Sequence, residues 1–135
     1  MAMSRNKLQE LSMTAVYDIL FYIDMNHEID IKDIVSSLCE LPYEECDVYI
    51  KEIAIETVKH FPEIVAHLSQ YMLKWKFTRI NKLSQAILIL SYVHFYFVKD
   101  TEKGVVINVA VKLAKKYLDD RDYQYINAIL DKALC

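Results

Sequence analysis

Apolar residues recur at intervals of three and four along most of the chain, the period of an α-helix that buries one face. The first stripe is Leu8, Leu11, Ala15, Ile19, Tyr22 and Ile23. It predicts a helix over about residues 4–25, with Ser4 as N-cap and Asn26 and His27 at its end. Asp30, with Asp33 three positions on, predicts the capped start of a short second helix carrying Ile31, Ile34, Val35 and Leu38. Pro42 starts a third, whose stripe of Ile50, Ile53, Ala54, Thr57 and Val58 runs to Pro62. A proline lacks the amide hydrogen a helix interior needs, so Pro62 predicts a break and a fourth helix ending near Leu73. The run from Ala86 to Val98, interrupted only by Ser91 and His94, is apolar on nearly every side. It is too short for the ~20 residues of a membrane-spanning helix, and predicts a buried central helix starting near Thr78 or Arg79 and ending at Lys99. Asp100 or Thr101 then caps a sixth helix beside Gly104, the position at which positive φ costs least. A seventh helix carries Ile126, Ile129, Leu130 and Ala133 on one face.

The composition agrees with this map of about seven helices. One Gly and two Pro leave little from which to build hairpin turns, so the class is all-α with no sheet. At 135 residues the chain forms one domain able to bury roughly two thirds of its unfolded surface. The N-terminus lacks a charged-then-apolar export pattern, which predicts a cytoplasmic protein. Cys39, Cys46 and Cys135 have spacings that fit no zinc or redox motif and suit reduced thiols.

Charge changes the picture more than its total of −3 suggests. Residues 1–70 hold 5 Lys or Arg against 13 Asp or Glu, whereas residues 71–135 hold 11 against 6. An acidic protein does not coat nucleic acid nonspecifically, but a basic half can carry a local patch. The densest cluster is Lys74, Lys76, Arg79 and Lys82, interleaved with Trp75 and Phe77. Single-stranded RNA needs this combination, because phosphates attract Lys and Arg while unstacked bases need a flat π surface. The alternative is that the two aromatics are core anchors and the lysines are merely solvated.

Catalysis finds little support. His27, His60, His67 and His94 fall on different helices, and no nucleophile turn, His-Glu-x-x-His pattern or Gly-rich phosphate loop is present. The carboxylates Glu44, Glu45, Asp119, Asp120 and Asp122 sit at helix starts or turns, where they favour the helix dipole. No cofactor is expected.

The most specific stretch is Ile107–Asp131. It reads as two amphipathic helices joined by an acidic turn, and it resembles the C-terminal signature of the NusB family, roughly INEAVELAK, a short acidic linker, then FVNGVLD. Ile107, Asn108, Ala110, Val111, Leu113, Ala114, Lys115, Asn127, Leu130 and Asp131 match. Trp75, Arg79, Ala86, Ile87 and Leu88 extend the likeness upstream, and Arg5, Glu10, Ala15 and Tyr17 resemble the family's arginine-rich opening. Residues 26–73 match only in helix pattern.

The resemblance implies an all-helical NusB-like bundle in two small subdomains, about 1–73 and 74–135. It implies a transcription antitermination factor that binds the single-stranded boxA element of nascent ribosomal RNA together with the ribosomal protein NusE, and joins the polymerase elongation complex through that pair. On this reading Arg5, Lys7, Lys74, Lys76, Arg79 and Lys82 meet phosphates, and Tyr17 and Tyr125 stack on bases or, alternatively, cover core. His94, Glu102 and Arg121 face the protein partner, while Asn108, Asn127 and Asp131 are structural. Departures from the family pattern are His94 and Val109 for glutamates, Ile89 for an arginine, Ala128 for a glycine, and Arg121 where many members carry an acid. Losing the glutamates and the arginine together predicts an apolar replacement of a polar network. A helical protein-interaction module without RNA binding is the alternative function, and the apolar surplus and tyrosine content allow a homodimer without requiring one.

Overall fold

The computed structural model describes residues 3–135. Among them are six α-helices and no strand: α1 (Arg5–Asp24), α2 (Ile31–Cys39), α3 (Val48–Ser69), α4 (Lys82–Val93), α5 (Lys103–Tyr117) and α6 (Asp120–Ala133). Single 3₁₀ turns at Tyr43–Glu45 and Phe77–Arg79 precede α3 and α4, and a π-helical turn, His94–Val98, extends α4. No described helix is long and apolar enough to cross a membrane.

The caps follow from local chemistry. The Lys7 amide donates to the Ser4 hydroxyl (3.2 Å) and the Asp33 amide to the Asp30 carboxylate (3.0 Å), each satisfying an amide that the first helical turn leaves unpaired. Helix α1 closes with Asn26 at φ 53°, the His27 amide reaching back to the Tyr22 carbonyl and the Asn26 amide to that of Ile23. Glu40 (φ 55°) and Lys99 (φ 60°) end α2 and the π turn in the same left-handed conformation. Gly104 does not supply it; that residue lies inside α5.

Helix α4 is the axis of the core. Every residue from Ser84 to His94 is buried, because α1, α3, α5 and α6 all pack against it. Ile87, Leu88, Ile89 and Leu90 occupy successive positions around the helix, so burial of all four requires neighbours on every side. Ile89, standing where the family usually has an arginine, is wholly enclosed. Pro62 does not end a helix: α3 runs through it, and His60 absorbs the missing hydrogen bond at φ −118°, ψ 19°. The expected third and fourth helices are therefore one kinked element.

The start of α4 also departs from expectation. Asn81, not Thr78 or Arg79, caps it, its side-chain oxygen accepting from the Ser84 amide (2.8 Å). One turn on, the buried Gln85 side-chain amide donates to the carbonyls of Phe77 (2.9 Å) and Ile80 (3.1 Å). These bonds fix the 3₁₀ turn that carries Arg79, and Phe77 plugs that turn into the core.

A candidate nucleic-acid interface

Three segments build an open cleft of about 650 Å³. Lys74, Trp75 and Arg79 line it from the strap ahead of α4, and Asp119, Arg121, Asp122 and Tyr125 from the turn and first helical turns of α6. The structure thus joins Arg79 and Lys74 to Tyr125, and adds Arg121, expected on the protein-partner side. Trp75 and Phe77 take opposite roles. Phe77 is core, while the Trp75 indole is 54% exposed.

Cations outnumber carboxylates in the cleft by three to two, and residues of the first turns of α6 line it. Burial raises the Asp122 carboxyl above its usual range, and the hydrogen bond it shares with Asp119 pushes the same way. That pair therefore sheds negative charge more readily than two free aspartates. The Tyr125 hydroxyl is buried without a hydrogen-bond partner among the described residues, and burial raises this phenol, partly opposed by the nearby Trp75 backbone. The ring, half-buried, forms part of the wall of the cleft.

The remaining cations fall into separate settings. Lys82 is ion-paired with Asp24 and lies over the Phe21 ring, whose other neighbour is Tyr17, edge-on at 4.9 Å. It ties the end of α1 to the start of α4. Lys7 is exposed on the first turns of α1 and adds its charge to Glu10, which Lys116 and Tyr117 bind from the end of α5. The Lys116 hydrogen bond is the main reason that the Glu10 carboxyl sits low. Lys76 is exposed on the far side of Trp75, in a second groove.

Arg5 lies elsewhere. Its guanidinium pairs with Asp100 (3.6 Å) and covers the Tyr49 ring (4.6 Å to the centroid), beyond the C-terminal end of α4. Some seventeen residues of helix, roughly 25 Å, separate that end from Arg79. Beneath Arg5 is His94, 2% exposed and therefore interior, not part of a partner surface. Its Nε2–H donates to the Asp100 carboxylate (3.0 Å) beside Thr101 (3.1 Å), and Nδ1 accepts from the Tyr49 hydroxyl (3.3 Å). Asp100 and Thr101 are thereby committed to His94 instead of capping α5. The polar network expected to be replaced by apolar residues is so at Ile89 and at Val109, which packs against the core; at His94 another polar network stands. Glu102, exposed, precedes α5 without a side-chain cap bond. Asn108, Asn127 and Asp131 are exposed as well; Asp131 meets Lys103 at 3.7 Å, and neither asparagine side chain makes a hydrogen bond among the described residues. A structural role finds no support in packing for the two asparagines, whereas Asp131 ties α6 to Lys103 of α5 through its carbonyl as well (2.6 Å).

The His94 cluster makes stability pH-dependent. Burial holds the imidazole below its usual range, only partly opposed by Asp100, whereas Thr101 first, with His94 and Arg5, holds the Asp100 carboxyl low. The unfolded chain binds a proton at this histidine near pH ~6.5 that the native state resists, so stability falls as pH drops through that value towards the native one. Asp100 adds a further loss below about pH 4. Melting temperature should fall between about pH 7 and pH 5, and His94→Gln should flatten that slope. Equal slopes in the two proteins would show that His94 is not the group responsible.

A model of the NusB family matches residues 6–134 of this chain. The transcription antitermination protein NusB of Natranaerobius thermophilus is 34% identical over 131 residues, covering 96% of this chain and 94% of that protein. The protein of the same name from Finegoldia magna is 31% identical over 134 residues, covering 98% and 94%. The solved structure of T. maritima NusB is similar over 99% of this chain and 92% of that one, with a TM-score of 0.79 and 25% identity.

Proposed function

Since the chain belongs to the NusB family, we propose that it is a transcription antitermination factor that binds boxA-type single-stranded RNA together with the ribosomal protein NusE. The cleft carries this reading. It gathers Lys74, Arg79 and Arg121 around two aromatic walls, Trp75 and Tyr125, so cations for phosphates stand beside faces for bases. Lys7, exposed on the first turns of α1, adds a further cation, whereas Lys116 is held by Glu10. Arg5 and Lys82 have intramolecular carboxylate partners, so their part is to hold α1 in place and contribute background potential. Glu102 and the exposed face of α5 are where the protein partner would sit.

Fluorescence anisotropy of a labelled boxA-type RNA, titrated with the protein alone and with NusE at two salt concentrations, tests the proposal. Affinity should rise with NusE and fall steeply with salt, since each phosphate neutralised releases counterions. Binding in neither case would assign the fold to protein contact alone.

A further inference from the structure

Trp75 stands between two depressions. One is the cleft shared with Tyr125; the other is a groove of about 410 Å³ lined by Val65, Met72 and Leu73 as well as Lys74, Lys76 and Phe77. Trp75 and Lys74 line both. Leu73, 87% exposed, forms an apolar rim of that groove. Several aromatic rings of the described residues carry a cation: Arg5 lies over Tyr49, Lys51 over Tyr43, Lys82 over Phe21, Lys115 over Tyr123 and Lys116 over Tyr117. Among the described residues no cation and no second ring covers Trp75. Its indole is bare although its two chain neighbours are both lysines.

We propose that Trp75 is a base-stacking wall, on which a nucleobase of single-stranded RNA seats while Lys74 and Lys76 take the phosphates on either side. A strand running from the Arg79–Tyr125 cleft would cross the indole and continue into the second groove, whose apolar floor accepts a base and whose rim lysines accept its backbone. The proposal rests on the RNA-binding reading above and extends it to a second subsite. Charge favours RNA over an apolar peptide: residues 74–79 contain three cations and no carboxylate, and no carboxylate lines the second groove. Stacking on an indole is indifferent to base identity, so this subsite adds affinity and not sequence.

Trp75 is the only tryptophan of the chain, so intrinsic fluorescence excited where tyrosine does not absorb reports on this ring alone. A short unstructured RNA should quench it, in step with anisotropy of a labelled copy of the same RNA, and an RNA of equal length with abasic sites should not. Trp75→Ala should bind about tenfold or more weakly with an unchanged salt slope, because no phosphate contact is lost, while Trp75→Phe should keep most of the affinity. Equal melting curves would certify both variants as folded. RNA binding by anisotropy without quenching, and with Trp75→Ala as tight as wild type, would overturn the stacking wall and leave the RNA-binding reading intact. No RNA binding at all would overturn both. Quenching by an acidic amphipathic peptide but not by RNA would give the groove to a protein partner and equally sink the proposal.

Discussion

Replacing Ile89 with arginine should remove at least about 3 kcal/mol of stability, the largest loss of any single change considered. The side chain is wholly enclosed in the stretch of α4 that α1, α3, α5 and α6 surround. A guanidinium there has no path to water, and the glutamate usual in the family at position 94 is a histidine already bonded to Tyr49 and Asp100. The charge would be buried without a partner, which costs far more than the lost isoleucine packing. Of a typical total stability of about 5–15 kcal/mol, that leaves a protein that melts roughly 10 °C lower or fails to fold. Ile89→Val is the control and should cost no more than about 1.5 kcal/mol. Urea titrations of both variants would measure the two losses; an arginine variant as stable as the valine one would mean that α4 can open a route for the charge.

Position 89 also shows what periodicity could reveal. The unbroken apolar run of α4 demands neighbours on all sides, and that demand alone implies a bundle around one central helix. Caps with a short polar side chain at a β-region residue, Ser4 and Asp30, were equally legible, since the capping bond is local. Helix ends were less so. Gly104 is the residue freest to take positive φ, yet the left-handed positions fall at Asn26, Glu40 and Lys99. A solvent-facing residue tolerates that conformation for about 1–2 kcal/mol when the backbone bonds of the helix end are satisfied. Pro62 does not stop α3 for a related reason: packing on both sides of the kink outweighs one missing hydrogen bond.

The candidate site was half visible. Alternation of cations with aromatics at residues 74–79 marked the strap, but which aromatic turns inward depends on Gln85 holding the Phe77 carbonyl, a contact between residues eight apart that no periodicity encodes. Pairing of this strap with Arg121 and Tyr125 arises from tertiary packing across some forty residues. Arg5 and His94 illustrate the reverse. Both are polar residues at positions where a surface role suits the family pattern, and both are engaged in one intramolecular cluster with Tyr49 and Asp100. Only the fold brings those four together.

The second large effect expected is on RNA binding, from Lys74→Ala, Arg79→Ala and Arg121→Ala combined. All three side chains are exposed, so stability should change little. If each meets a phosphate, the log–log salt dependence should flatten by roughly 2, at about 0.7 per phosphate for a single strand. Affinity at moderate salt should fall on the order of 100-fold, at about 1 kcal/mol for each charge-assisted contact. The slope decides between explanations that the affinity alone leaves mixed. A misfolded cleft would weaken binding through lost stacking as well and would show in the melting curve. Loss of phosphate contacts lowers affinity and slope together in a folded protein. The matching pair Arg5→Ala and Lys82→Ala removes two cations held by Asp100 and Asp24, and should leave the slope nearly unchanged. Were that pair to flatten it and the cleft triple not, the strand would lie along α1, and Arg5 would have to release Asp100 to reach it.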